Sequence, residues 1–224
     1  MQGCTEAQSQ ITRTVKVVTL GDVGAGKTTL CKAMCSKDKN VDTTPTLGID
    51  FWTKVLHHSN NRVRINVYDT SGQERFQALT PSYLRTADII LIVLSAVTTD
   101  DVMSDCLDKW HAIAQNGARR QTKFVVAVTK RDLVNGTFIV GAKTSNKLVK
   151  CGLKRYHVVT GTHGPSGAGV HDLWDDIAQC AIECCNEGQP PLSRAALAVD
   201  ARQPNLTSKP QAPTTCFDKV SRCC

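Results

Sequence analysis

The sequence predicts an α/β fold: a mostly parallel, six-stranded sheet with helices on both faces. Three observations carry that expectation. A glycine-rich loop, Gly21-Asp22-Val23-Gly24-Ala25-Gly26-Lys27-Thr28, follows an apolar run and precedes a helix-like stretch. Further β-type runs then alternate with helical periods. The last helix repeats its apolar residues at three-and-four spacing without a miss, so one face is built to pack on a sheet.

In chain order, Val15 to Leu20 is an apolar-rich run suited to a buried parallel strand, and a helix begins near Lys27. Phe51 to His57 and Arg62 to Tyr68 read as strands, with the polar His58-Ser59-Asn60-Asn61 between them suiting a hairpin. Ile89 to Leu94 and Lys123 to Val128 are two more buried strands. Between them, residues near Asp101 to Ala114 form a helix with Val102, Cys106, Trp110 and Ile113 on one face. Tyr156 to Val159 is a short late strand. Val170, Leu173, Trp174, Ile177, Ala178, Ala181, Ile182 and Cys185 then mark the buried face of the last helix.

Strand, glycine loop, Lys-Thr and helix is the context of a phosphate-binding P-loop. Glycines permit tight turns and close backbone approach to an anion. The exposed N–H groups face the anion at a helix N-terminus, where the helix dipole also favours negative charge. Lys27 can reach the terminal phosphates of a nucleoside triphosphate, and the Thr28 hydroxyl can ligate Mg²⁺.

Composition sets the bounds. With 224 residues, the chain holds at most one large domain and a tail. Its 41% hydrophobic content is ordinary for a soluble protein. The formal net charge of +7 is compatible with nucleic acid or an anionic membrane but specifies neither. Nucleic-acid binding has no motif behind it. There is no apolar run near the length of a transmembrane helix and no signal-peptide pattern at Met1. Gly3 stands one place too late for N-myristoylation. The 11 cysteines are an odd count, which argues against a disulfide framework. Cys180 and Cys185 read as core thiols, with metal binding or lipidation of Cys180, Cys184 and Cys185 as the alternative.

Residues 1–12 read as a flexible extension and 13–187 as the domain. Residues 188–224 follow as a tail rich in Pro, Ala, Ser and Thr that has no sustained period.

Further boxes follow strand ends. Thr46, in Thr44-Pro45-Thr46, can place its hydroxyl on Mg²⁺. In Asp69-Thr70-Ser71-Gly72-Gln73-Glu74, Asp69 can hold the metal, Gly72 can offer its N–H to a γ-phosphate, and Gln73 can orient an attacking water. In Thr129-Lys130-Arg131-Asp132, the Asp132 carboxylate can accept two hydrogen bonds from guanine, a donor pair that adenine lacks.

These boxes resemble a Rab-type small GTPase of the Ras superfamily over about residues 13–185. Leu47-Gly48-Ile49-Asp50-Phe51 resembles the Rab stretch after the first switch threonine. Tyr68-Asp69-Thr70-Ser71-Gly72-Gln73-Glu74-Arg75-Phe76 resembles Trp-Asp-Thr-Ala-Gly-Gln-Glu-Arg-Phe of the family. Ala78-Leu79-Thr80 and Tyr83-Leu84-Arg85-Thr86-Ala87 fit the second switch region, and Cys223-Cys224 resembles the doubly geranylgeranylated Rab terminus.

The resemblance implies the P-loop NTPase, small-GTPase fold. It implies nucleotide contacts at Gly21, Asp22, Val23, Gly24, Ala25, Gly26, Lys27, Thr28, Thr29, Thr46, Asp69, Gly72, Thr129, Lys130, Asp132, Gly161 and Thr162. Lys27 and Gln73 take the catalytic roles, and Thr28, Thr46 and Asp69 hold the metal. The cofactors are Mg²⁺ and GTP or GDP. The partners are an exchange factor, a GTPase-activating protein, a prenylation escort, a GDP-dissociation inhibitor and effectors. The protein is expected to be a monomer without a nucleic-acid partner. It would sit on the cytoplasmic face of an intracellular membrane, anchored by Cys223 and Cys224, and cycle with cytosol.

The departures from the family set further expectations. Thr129 stands where the guanine box usually begins with Asn, and Gly161-Thr162-His163 is a weakened Ser-Ala-Lys box. Both point to weaker nucleotide affinity with guanine specificity retained. Val23 stands where most Rabs carry Ser. Either its methyls crowd the volume that Gln73 and its water need, or the loop relaxes around them. The leading function is therefore a GTP/GDP switch in membrane traffic that hydrolyses GTP slowly. A GTP-bound membrane scaffold with very slow or no turnover is the alternative. An ATP-using phosphotransferase is disfavoured by Asp132.

Overall fold

The computed structural model describes residues 11–35, 46, 48–58, 61–71, 80–160 and 168–186. The strands are β1 (Ile11–Leu20), β2 (Ile49–His58), β3 (Asn61–Thr70), β4 (Ile89–Ser95), β5 (Lys123–Thr129) and β6 (Tyr156–Val158). The helices are α1 (Lys27–Cys35), α2 (Thr80–Leu84), α3 (Asp100–Gly117), α4 (Ala142–Lys150) and α5 (Val170–Asn186), with one 3₁₀ turn at Arg131–Leu133.

The strands form one sheet in the order β2-β3-β1-β4-β5-β6. Only the β2–β3 pair is antiparallel, with His58 opposite Asn61 at the hairpin end. The others are parallel: Val17 of β1 stands beside Val67 of β3 and Ile89 of β4, and Val93 of β4 stands beside Ala127 of β5. Parallel sheets are covered on both faces, and the central strand β4 is accordingly apolar and buried from Ile89 to Leu94. On β4, Ile89, Leu91 and Val93 enter one core, where Leu30 and Met34 of α1 meet Leu173 and Ile177 of α5. Ile90, Ile92 and Leu94 enter the other, against Leu84 of α2, Leu107 and Trp110 of α3 and Leu148 of α4. The expected architecture is thus present, with each strand's period of two feeding two helical layers.

Several local expectations need correction. β1 extends back to Ile11, and the two hairpin strands are longer than the apolar pattern indicated. Pairing with β3 continues β1 through the polar Arg13 and Lys16, because ladder hydrogen bonds do not require apolar side chains. On α3 the buried stripe is Met103, Leu107, Trp110 and Ala114, together with Ser104 and His111. Val102 is 48% exposed, and Cys106 and Ile113 are only half-buried. On α5 the buried thiols are Cys180 and Cys184. Ile182 and Cys185 lie at the margin, because the core reaches round to the 180/184 side of the helix.

α4 has no strong apolar signature, since only Thr144 and Leu148 are buried. Asp100 organises its start. Its carboxylate accepts from Lys143 N at 2.9 Å, Thr144 N at 3.1 Å and Thr144 Oγ1 at 2.6 Å. A Cβ at residue 141 would lie 2.1 to 2.5 Å from that carboxylate, so glycine there is what admits the cap.

Candidate functional site

The site lies at the carboxyl ends of β1, β3 and β5, where open α/β sheets bind ligands. β1 ends at Leu20, and the chain turns through Gly21 at φ +153°, where a Cβ would stand 2.4 Å from the Val93 carbonyl oxygen. Only glycine fits both the backbone angle and the contact. Gly26 has φ +90° and faces the Thr129 hydroxyl, with a Cβ reaching 3.3 Å from its oxygen. The Ala25 N–H donates to the Asp22 carbonyl at 3.2 Å, closing the loop, and α1 starts with Leu30 N donating to the Gly26 carbonyl.

Lys27 is buried in the loop. Its ammonium donates to the Gly21 and Asp22 carbonyls at 2.8 and 2.9 Å. Burial lowers its pKa, while the nearby Asp69, Cys31 and Asp22 oppose that shift. The two carbonyl bonds thus hold the Lys27 head group inside the loop with its stem already ordered.

Thr28, Thr46 and Asp69 converge. The Thr28 and Thr46 hydroxyl oxygens are 2.6 Å apart, and Thr46 Oγ1 donates to Asp69 Oδ2 at 3.4 Å. Asp69 is fully buried, and burial raises its carboxyl pKa against the hydroxyl bonds and the Lys27 charge. Thr19 of β1, absent from the sequence-based candidates, is buried beside it. It donates to the Tyr68 carbonyl at 3.2 Å and approaches Asp69 Oδ1 at 3.5 Å, while its carbonyl accepts from Thr70 Oγ1 at 2.6 Å. A lone Thr in an apolar strand carries no sequence signal for such a role.

The third box meets the same loop. The Thr129 hydroxyl reaches the Ala25 carbonyl at 2.5 Å and the Leu94 carbonyl at 3.0 Å, so the single proton ties β5 to the glycine loop and to β4. Lys130 follows with left-handed backbone, φ 62°, and Asp132 sits exposed in the 3₁₀ turn. Arg131 braces this segment by donating to the Val134 and Gly136 carbonyls at 2.9 and 2.5 Å. The end of β6 is docked here as well: Val159 N donates to the Val128 carbonyl at 2.7 Å, and Arg131 N to the Val159 carbonyl at 3.4 Å. Gly72, Gln73, Gly161, Thr162, Cys223 and Cys224 lie outside the described residues.

Val23 is 59% exposed. Asp22 turns its side chain away from the loop and onto α3, a contact that the sequence did not indicate. On the far side of β3, Phe51 and Tyr68 meet edge to face at 5.2 Å, and Tyr68 and Tyr83 lie 5.3 Å apart. The Lys16 ammonium stands 4.2 Å over the Tyr68 ring and 4.8 Å over that of Tyr83. Phe51 remains half-exposed beside them.

Residues 16–132 match the family described as Ras of Complex, Roc, domain of DAPkinase. Among curated relatives, the chain is 36% identical over 108 residues to the Ras-related protein RABC2a of Arabidopsis thaliana, covering 48% of this chain and 50% of that protein. It is 32% identical over 172 residues to the Ras-related protein RABG1 of the same plant, covering 75% and 83%. It is 27% identical over 195 residues to the Ras-related protein Rab7 of Pisum sativum, covering 86% and 94%. The match thus spans half the length of the first and most of the other two. With a parallel sheet that carries a P-loop and the Thr28–Thr46–Asp69 cluster at its strand ends, the chain belongs to the Ras superfamily of GTPases and is of Rab type.

Proposed function

We propose that the chain is a Rab-like GTP/GDP switch that regulates membrane traffic and hydrolyses GTP to GDP. The observation that carries this reading is the convergence of Thr28, Thr46 and Asp69 beside the P-loop and its buried Lys27. The P-loop N–H groups cradle the phosphates, and Lys27 meets the β- and γ-phosphates. Gln73 orients the attacking water. The three clustered oxygen donors fit a hard cation. Thr28, Thr46 and Asp69 would hold Mg²⁺, whose charge, when bound, offsets that on the phosphates. Asp132 selects guanine from a turn anchored on the P-loop side through Thr129. The tethered Thr129 hydroxyl supports the view that the missing Asn weakens nucleotide binding without removing its base choice.

The family supports regulators and effectors in general, and the proposed switch would use an exchange factor, a GTPase-activating protein, a GDP-dissociation inhibitor and a prenylation escort. Cys223 and Cys224, which resemble the family's lipidated cysteine pair, would attach the protein to the cytoplasmic face of an intracellular membrane. The switch domain begins with β1 at Ile11 and runs to about residue 187, with 188–224 as its tail.

Nucleotide competition and single-turnover hydrolysis test the reading. GTP should displace labelled GDP far better than ATP does, and Asp132→Asn should shift preference toward XTP, whose base carries a carbonyl where guanine has an amine. Intrinsic hydrolysis should be slow, faster in Val23→Ser and slower in Gln73→Leu. Equal displacement by ATP refutes the guanine assignment. Binding of GTP with no turnover, even with activating proteins, points to a GTP-bound scaffold instead.

A further inference from the structure

Asp22 places a carboxylate in a loop that must receive phosphate, which is the wrong sign of charge for the task. Its side chain leaves the loop and meets three donors on one turn of α3. Cys106 Sγ donates to Oδ2 at 2.7 Å, while Lys109 Nζ and Trp110 Nε1 both donate to Oδ1 at 2.9 Å. The spacing of 106, 109 and 110 puts these donors side by side on the helix. Trp110 is 1% exposed, so its ring is fixed by the core and its N–H direction is set.

The main chain of Asp22 is tied to the opposite side of the loop. Its carbonyl accepts from the Lys27 ammonium at 2.9 Å and from Ala25 N at 3.2 Å. One residue thus joins α3, through its side chain, to the phosphate-facing lysine, through its backbone. Burial pushes the Asp22 carboxyl up, but the bonds from Cys106, Lys109 and Trp110 outweigh it and leave the group below its ordinary value, fully ionised at neutral pH. The same arrangement leaves Cys106 inert, its thiol pushed up to about 11 by burial and by the neighbouring carboxylate.

We propose that α3 holds the P-loop in its nucleotide-retaining shape through the Asp22 carboxylate, with Trp110 fixing its direction and Lys109 neutralising its charge. Asp22, Lys109 and Trp110 are then positioning residues for nucleotide retention, and a change in α3 is transmitted to the phosphate cradle. This inference rests on the nucleotide-binding reading above.

The test measures release of fluorescent GDP from the full chain in magnesium. Lys109 is half-exposed, so Lys109→Met leaves the fold intact. That variant should release GDP about three- to fivefold faster, the scale of a partly exposed ion pair. Trp110→Phe keeps the ring's bulk but loses the donor, and should speed release about tenfold. The deciding variant is the double, Asp22→Asn with Lys109→Met. An uncharged amide needs no counter-ion and still accepts from Trp110, so release should return to within about twofold of wild type. A purely structural role for Lys109 would give no such rescue. Release from Lys109→Met at the wild-type rate, or a double variant no slower than the single, overturns the proposal and leaves the nucleotide reading standing. Failure of wild type to retain GDP at all overturns both.

Discussion

Thr129 shows how one side chain substitutes for another at the residue scale. Where the family places an amide, a hydroxyl spans the gap between β5 and the glycine loop at 2.5 Å. Gly26 lies against it with φ +90°, a backbone angle that favours glycine. Thr129→Val keeps the shape and removes the donor. It should cost about 1 kcal/mol of stability and hasten GDP release, because the loop loses its tie to the strand that precedes Asp132. Thermal melting and GDP dissociation of the same variant check this together. A valine variant with unchanged release would reduce the Thr129 bond to a fold contact.

On the scale of elements, α3 has two tasks and divides its faces between them. Met103, Leu107, Trp110 and Ala114 pack on the sheet, while Cys106, Lys109 and the Trp110 N–H address the P-loop. Its first turn caps α4 through Asp100. Leu107→Ala should therefore destabilise the domain by about 2–5 kcal/mol, as fully buried leucines do when a cavity is left. Val102→Ala, although it belongs to an apolar series by spacing, should stay within about 0.5 kcal/mol because its side chain is half in water. Urea unfolding of the two variants separates them. A larger loss at Val102 would contradict the observed stripe.

For the whole molecule, topology brings the site together. The chain crosses from the β3 side of β1 to the β4 side, and the crevice between these crossovers holds the ends of β1 and β3 with Lys27, Thr28 and Asp69. No helix among the described residues is long and apolar enough to cross a membrane. Under the proposed function Cys223 and Cys224 carry prenyl groups, and two such chains anchor stably where one binds only marginally. Replacing both cysteines by Ser should abolish membrane flotation, replacing one should leave partial or misdirected binding, and GTP binding should be unchanged in both. Flotation of the double variant at wild-type levels would transfer the anchor to another residue, such as Cys4 or Cys216.

Much of this was written in local pattern. The glycine loop, the Thr28, Thr46 and Asp69 donors, the alternating strands and the period of α5 follow from spacings of a few residues, which the backbone's periods of 2 and 3.6 impose wherever a core exists. α4 was not legible, because a nine-residue, mostly polar helix with two buried side chains offers too few apolar residues to mark it. Nor was the direction of α3, since spacing reveals that Cys106 and Trp110 share a face but not what that face meets. The choice of Cys184 over Cys185 as a core thiol was decided the same way, by how far the packed layer reaches around α5. Sequence alone determined which groups are available for phosphate, metal and base. Only tertiary structure decided that the Asp22 carboxylate turns to α3, that Thr19 meets the Asp69 end of β3 and that Thr129 braces the loop, because those contacts join residues 35 to 104 positions apart whose meeting depends on the order of strands in the sheet.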